Sequence, residues 1–219
     1  MLTILFDGIA YGMLLFILAV GLSVTMGLMN FINLAHGAFA MAGGYITILL
    51  MQHWDVPFLV CLPLAFLIPA LVGALLEPTL YRRMYTKPHL DQVLFTIGLT
   101  FMAVASVDFF VGSSQQILQL PEWLKGRTEI GRGDWRLGMG HYRLFIIAVC
   151  AVLTFGLQYG LSRTRFGSQL RAAVDNQRVA AGMGINVNLV FLGTFAVGSG
   201  LAGLGGALGA EVLGMDPTF

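Results

Sequence analysis

The sequence predicts an all-α protein, a polytopic bundle of transmembrane helices. Of the 219 residues, 57% are hydrophobic and only 11% are charged, and the mean hydropathy is +0.82. Soluble domains carry roughly 25% charged residues, so a soluble fold of this length could not cover its surface with so few. The apolar residues also gather into stretches of about 20, the length that crosses ~30 Å of hydrocarbon as a helix.

These stretches divide the chain into about six spans within one transmembrane domain, residues 1–219. The apolar region over residues 2–52 is long enough for two spans and breaks near Asn30. The second of these is short, and Gly43-Gly44 could interrupt it, so a re-entrant segment is the alternative. We predict the spans at residues 2–28, 37–51, 57–76, 93–111, 144–161 and 187–213.

Three polar connections separate the later spans. Residues 77–92 and 162–186 lie on one side of the membrane and hold seven lysines and arginines, whereas residues 112–143 lie on the other side and hold five. Because cytoplasmic connections carry the excess of positive charge, we expect the first two to be cytoplasmic and 112–143 to be periplasmic. The chain stops at Phe219 with no polar tail after its last apolar stretch, so we expect further spans beyond the C-terminus.

The charge and the cysteine content exclude several classes of protein. The formal net charge is +1, and lysines and arginines do not cluster without intervening acids, so we expect no nucleic-acid partner. Cys61 and Cys150 lie in apolar runs and resemble small buried hydrophobes. We therefore expect no catalytic residue, metal or cofactor. Lys87 and Lys125, the only lysines, do not follow glycine, so the chain lacks a phosphate-binding P-loop.

A group of polar residues interrupts the first apolar region. Asn30, Asn33 and His36 are spaced three residues apart and are followed by Gly37. On one continuous helix they would form a polar stripe, and intramembrane polar residues usually face the bundle interior or water. These four residues are therefore candidates for a translocation pathway. The alternative is that they only bridge neighbouring helices, with hydrogen bonds worth ~0.6 kcal/mol each on average.

Two carboxylates lie within the apolar spans. Asp7 and Asp108 are both nearer to the end of a span than to its middle. We predict that they are interfacial, because a proton carrier needs titratable groups near the midplane.

The last apolar stretch carries a small residue at every fourth position. Such a ribbon lets another helix approach closely. It predicts tight helix packing, against a helix of this chain or of a second subunit. The ribbon consists of Thr194, Gly198, Ala202, Gly206, Ala210 and Gly214.

Residues 162–186 have the pattern of a cytoplasmic amphipathic helix or helix pair. Phe166, Leu170 and Ala173 recur at helical spacing among charged and amide side chains. The glycines and alanines of 180–185 then supply a bare surface and a helix stop. We favour a docking surface over a helix that lies on lipid headgroups, because the apolar face is small and lacks tryptophan.

Two motifs resemble a known family. The run Gly27-Leu-Met-Asn-Phe-Ile-Asn-Leu-Ala-His-Gly37, with Met41 and Gly43-Gly44-Tyr45 after it, resembles the early signature of the branched-chain amino-acid (leucine/isoleucine/valine) permeases of ABC transporters. Residues 171–186 resemble that family's coupling loop, which docks on the ATPase subunit. The resemblance covers essentially the whole chain. Ala38 stands where relatives often carry a polar or acidic residue, a departure that bears on the substrate.

The resemblance implies a permease subunit of an ABC importer in the bacterial inner membrane. Its implied partners are ATPase subunits, a second permease subunit, a periplasmic substrate-binding protein and the lipid bilayer. The implied substrates are branched-chain or related amino acids, with urea or short amides as the alternative. The resemblance assigns the ATPase-coupling surface to Arg171, Asp175, Ala180, Gly182 and Gly184.

Two hypotheses from other classes remain open. A secondary transporter or channel working alone would need midplane ionisable residues or inverted repeats, and we find neither convincingly. A membrane scaffold would need no pathway at all.

Overall fold

The computed structural model describes residues 2–29, 31–130 and 137–216, and within them the chain forms nine α-helices, one 3-10 turn and a β-hairpin. In chain order these are α1 (Leu2–Met29), α2 (His36–Trp54), α3 (Phe58–Thr79), the turn (Tyr81–Arg83), α4 (His89–Val111), α5 (Glu122–Lys125), β1 (Arg127–Ile130), β2 (Leu137–Gly140), α6 (His141–Arg163), α7 (Arg165–Asp175), α8 (Gln177–Gly182) and α9 (Val187–Leu213).

The predicted all-α membrane bundle is confirmed. Five of the described helices, α1, α3, α4, α6 and α9, are long and apolar enough to cross a membrane. The predicted second span corresponds to α2, which is continuous through Gly43-Gly44 for 19 residues but is not among the five. About six spans were expected, and α2 falls short because it contains glycine, histidine and glutamine. It does not need an apolar surface, since much of it is covered by other helices.

Helix α9 is the centre of the bundle. In its most apolar part 61% of the residues are buried, against 11% for α6 and 6% for α4. It makes its largest contacts with α3, α2 and α1. The bundle is therefore built around the Gly-rich helix, while α4 and α6 lie at its periphery.

The small residues of α9 explain how three helices can reach it. A Cβ atom on Gly206 would overlap the backbone of Ala40 in α2, and one on Gly43 would overlap the backbone of Gly203. A Cβ on Gly198 would lie 2.8 Å from the Thr25 side chain of α1. The small-residue ribbon therefore packs against helices of this same chain. Small side chains allow the backbones to approach closely, and the resulting van der Waals contact drives helix association in lipid.

The connection after α4 is not wholly irregular. It contains α5 and the hairpin, in which Arg127 of β1 pairs with Gly140 of β2. Upstream, Gln116 forms an antiparallel bridge with Met215, with N···O distances of 2.6 and 3.1 Å. The sequence did not predict this hairpin. The hairpin leads directly into α6, and the bridge ties the connection to the end of α9.

Candidate functional site

The backbone between α1 and α2 is non-helical, and side chains of α4 hold it in place. The side-chain oxygen of Gln92 accepts a hydrogen bond from the N–H of Ile32 at 3.2 Å. One turn further along α4, the hydroxyl of Thr96 accepts from the N–H of Leu34 at 3.2 Å. The hydroxyl of Thr100 donates to the carbonyl oxygen of Leu34 at 3.4 Å. Non-helical backbone in a membrane protein needs such protein partners wherever it is shielded from water, because lipid supplies none.

Gln92 serves a second segment at the same time. Its amide nitrogen donates to the carbonyl oxygens of Met84 at 3.3 Å and Lys87 at 3.0 Å, and the residue is only 2% exposed. This role of Gln92 was not predicted from the sequence. The signal was present, because Gln92, Thr96 and Thr100 recur every four residues and so share one face of an otherwise apolar helix.

The side-chain oxygen of Asn33 accepts two hydrogen bonds at the break between α1 and α2. The donors are the N–H of Ala35 at 3.1 Å and the hydroxyl of Tyr81 at 3.5 Å. Burial raises the pKa of Tyr81, so its hydroxyl stays neutral and can donate. Phe31 packs edge-on against the Tyr81 ring with centroids 5.6 Å apart. Asn33, 1% exposed, thereby joins the break to the turn after α3.

His36 joins α2 to α1. Its Nε2 atom lies 3.1 Å from the carbonyl oxygen of Leu18. Since a carbonyl can only accept, Nε2 carries the proton in this arrangement. The ring also covers Gly21, where a Cβ atom would lie 2.8 Å from the histidine Cε1. The side chain therefore fits a space that only glycine leaves open.

Asn33 and His36 do not lie on one continuous helix. Helix α1 ends at Met29 and α2 begins at His36, so Asn33 lies between the two. Asn30 lies outside the described residues. Asn33 and His36 are buried and bond to different neighbours. This is the arrangement expected if they only bridge neighbouring segments of the bundle. Gly37 is exposed, and a Cβ atom there would meet nothing within 4 Å.

Residues 165–182 form the predicted helix pair. Helix α7 begins after Thr164, whose hydroxyl accepts a hydrogen bond from the N–H of Gly167 at 3.2 Å. Helix α8 begins after Asn176, whose side-chain oxygen accepts from the N–H groups of Arg178 and Val179, both at 3.1 Å. These two side chains are N-caps, because each accepts hydrogen bonds from first-turn N–H groups that have no partner within the helix. On α7, Gly167, Leu170 and Ala173 are buried against the bundle.

The outer face of the pair mixes apolar and charged side chains. Val179 is 56% and Met183 74% exposed, beside the exposed Asp175 and Arg178. Aliphatic side chains in water next to charges of both signs are the surface expected of a protein contact. We call residues 165–185 the helix-pair surface.

The coupling candidates take different positions on the helix-pair surface. Arg171, Asp175, Gly182 and Gly184 are exposed, whereas Ala180 is only 1% exposed and packs inward. A Cβ atom on Gly182 would meet nothing within 4 Å. The guanidinium of Arg171 donates to the carbonyl oxygen of Leu161, in the last turn of α6. Arg171 is therefore also a capping residue of that helix.

Gly184 ends α8 in a Schellman motif. Its φ is +84°, in the left-handed region that favours glycine. Its N–H donates to the carbonyl of Ala181 at 3.0 Å, and the N–H of Ile185 donates to the carbonyl of Ala180 at 3.0 Å. These two bonds satisfy carbonyls that the helix end leaves free.

At the opposite end of α6, Asp7 of α1 forms an ion pair with Arg143. Asp108 lies in the last turn of α4. Within the described residues, no group of three or more histidine, cysteine or acidic side chains could hold a metal ion.

The comparisons with known proteins agree with one another. The family model for the branched-chain amino acid transport system permease component matches residues 4–217. The permease protein BraD of Pseudomonas aeruginosa is 27% identical over 221 residues, which cover 97% of this chain and 70% of that protein. The probable permease LivH of Methanocaldococcus jannaschii is 29% identical over 211 residues, 94% of this chain and 65% of that protein.

A second type of permease is also similar. LivM of Salmonella typhimurium is 26% identical over 214 residues, 90% of this chain and 50% of that protein. The chain thus spans between half and about seven-tenths of the length of these relatives. No solved structure matches. Because the family model covers nearly the whole chain, the chain belongs to the family of branched-chain amino-acid transport system permease components.

Proposed function

We propose that this chain is one permease subunit of an ABC importer that moves branched-chain amino acids inward, with ATP hydrolysed by a separate subunit. The match of residues 4–217 to the permease family carries the proposal. The relatives are named as permeases of high-affinity branched-chain amino-acid systems. The chain is a multi-pass protein of the inner membrane, in keeping with its five apolar helices.

The helix-pair surface is the proposed contact with the ATPase. It joins two apolar spans, α6 and α9, through capped short helices, so a push on α7 would reach both. The buried residues Leu170 and Ala173 anchor it to the bundle, while Val179 and Met183 remain free to enter a partner. On this proposal, residues 77–92 and 162–186 lie in the cytoplasm and residues 112–143 lie in the periplasm.

The remaining proposed partners are a second permease and a periplasmic substrate-binding protein. The similarity of this chain to both LivH and LivM supports a pair of related permeases. Gly37 is exposed at the start of α2 and is our candidate for a position on the pathway between the two permeases. The roles of Asn33 and His36 are then to fix the break beside that position.

The test is uptake by the complete system. The chain would be co-expressed with the ATPases, the second permease and the binding protein of its transport system and reconstituted in proteoliposomes. We expect uptake of labelled leucine that requires ATP and the binding protein, and that stops when the Walker lysine of the ATPase is replaced.

Two results would contradict the proposal. Uptake of urea or acetamide in place of leucine would select the amide branch of the family. Leucine uptake driven by an ion gradient without ATP would indicate a secondary transporter.

A further inference from the structure

A polar cavity of about 550 Å³ opens at the end of the bundle opposite to the helix-pair surface. Helix α6 connects the two places, with Arg143 near its start at the cavity and Arg163 at its other end, a rise of about 30 Å. The volume lies within the ~300–1,000 Å³ of small-molecule pockets. The walls come from Asp7, Leu120, Leu124, Lys125, Gly126, Arg127, Gly138, Gly140, Tyr142, Arg143, Glu211 and Val212.

The charges on these walls are only partly paired. Asp7 is paired with Arg143, and Lys125 lies 2.7 Å from Glu122 at the rim. Arg127 and Glu211 form no direct ion pair with any residue that the structure describes. Arg143 acts on Glu211 electrostatically, but among the described residues neither the Arg127 guanidinium nor the Glu211 carboxylate has a direct ion-pair partner, so both can contact a ligand.

Arg127 and Glu211 both belong to elements of secondary structure that neighbouring elements hold in place. Arg127 begins β1, and its side chain lies along Gly138 of β2, where a Cβ atom would fall 2.5 Å from the guanidinium Nε. The hairpin is held to α1 by a hydrogen bond of 3.1 Å from the Gly138 N–H to the hydroxyl of Thr3. Glu211 lies near the end of α9, one turn beyond Leu208, whose carbonyl accepts a 2.6 Å bond from the hydroxyl of Tyr142. Ligand-binding side chains on such supported elements are held in position.

The cavity also has an apolar side. Leu120 and Leu124 contribute from the connection, and Val212 from α9. A ligand with a positive group, a negative group and a short aliphatic chain would match these walls. A purely ionic solute would leave the apolar side wet, and an uncharged amide would leave both charges without a partner.

We propose that this cavity binds a free zwitterionic aliphatic α-amino acid. Its carboxylate meets Arg127, whose fork geometry suits a carboxylate, and its ammonium group meets Glu211. The aliphatic side chain lies against Leu120, Leu124 and Val212. The identity of the amino acid rests on the proposed function, whereas the charge pattern rests on the cavity alone.

The first experiment uses the complete transporter in lipid nanodiscs, without the soluble binding protein, and L-leucine as the probe. Binding is measured by saturation-transfer NMR. Two competitors each lack one charge, 4-methylpentanoate without the amine and 3-methylbutylamine without the carboxylate. Because each loses one charge-assisted hydrogen bond, we expect both to bind at least about tenfold more weakly than leucine. Equal binding of all three would overturn the proposal.

Two variants assign the charges. Glu211→Gln should weaken leucine at least about tenfold and leave it no better than 4-methylpentanoate. Arg127→Gln should do the same relative to 3-methylbutylamine. Asp55→Asn is the matched control, because Asp55 follows α2 at the same end of the bundle, outside the cavity. Its φ of +49° is one that asparagine tolerates.

Other outcomes separate the cavity from the proposed function. Unchanged leucine binding in both variants, with loss of ATP hydrolysis stimulated by the binding protein, would show that the surface receives a protein, and would overturn the proposal. Normal ATP-dependent leucine uptake without detectable leucine binding would overturn this site alone. Binding that discriminates as expected, without any uptake, would support the site and overturn the proposed function.

Discussion

The side-chain oxygen of Gln92 accepts a hydrogen bond from the backbone N–H of Ile32 at 3.2 Å, across 60 residues of sequence. The same amide donates to two carbonyls of the connection before α4. One polar side chain of a peripheral helix thus forms hydrogen bonds with the break between α1 and α2 and with the connection before α4. This contact matters because α4 has little buried surface of its own.

Replacing Gln92 should therefore loosen α4 and the break together. Gln92→Leu removes the partner of the Ile32 N–H and of the Lys87 carbonyl, at about 1–3 kcal/mol for each buried group, whereas the Met84 carbonyl keeps its bond from the Lys87 N–H. We expect a loss of at least about 2 kcal/mol, measured as a lower melting temperature of the purified complex. Gln158→Leu, on the exposed face of α6, is the control and should leave the melting temperature unchanged. Equal melting of the two variants would contradict this account.

The contact between α2 and α9 predicts a different kind of damage. Gly43→Ala would drive a methyl group into the backbone of Gly203, and a backbone cannot rotate away as a side chain can. Overpacking of this kind costs about 1–3 kcal/mol or more. Gly98→Ala in α4, where a Cβ atom meets nothing within 4 Å, should be neutral or slightly stabilising. Yield of folded complex and melting temperature measure both.

His36 tests whether the intramembrane polar residues bridge helices or line a pathway. His36→Phe removes the donor to Leu18 and should cost about 1 kcal/mol, within the range of interhelical hydrogen bonds. His36→Gln supplies a new N–H donor and should recover part of that loss. We expect leucine uptake per folded complex to be the same in both variants. Reduced uptake at an unchanged melting temperature would indicate a pathway role.

Gly182 tests the helix-pair surface without disturbing the bundle. Gly182→Trp adds a large side chain into open space, so the melting temperature should stay the same while ATPase binding weakens at least about tenfold, as for a blocked interface centre. Gly12→Trp on α1, equally open, should bind the ATPase normally. Pull-down of the ATPase and coupled ATP hydrolysis are the measurements. Normal transport in Gly182→Trp would place the ATPase elsewhere.

Arg171 and Asp175 should separate stability from coupling. Arg171→Glu loses the bond to Leu161 and puts a negative charge at the C-terminus of α6, at a cost of about 1–2 kcal/mol. Asp175→Arg puts a positive charge between the C-terminus of α7 and the N-terminus of α8, where the two helix-dipole effects offset each other. Both should lower ATPase coupling, but only Arg171→Glu should lower the melting temperature. The reverse order of melting temperatures would contradict the capping role.

The sequence by itself determined the class of fold, the places of the helices and the family. Apolar length fixes a membrane helix because the bilayer has one thickness, so α9 was predicted at its observed residues, 187–213. Helical spacing and glycine likewise predicted α7 and the end of α8. These are local properties, decided by neighbours along the chain.

Only the tertiary structure decided which polar groups meet. Asn33 and His36 looked like one stripe, yet the chain breaks between Met29 and His36, and their partners Tyr81 and Leu18 lie on other elements. The pairing of Asp7 with Arg143 joins two spans that are far apart in sequence. Such contacts depend on how helices pack, and packing in lipid follows close backbone approach, which residue spacing along one helix does not specify.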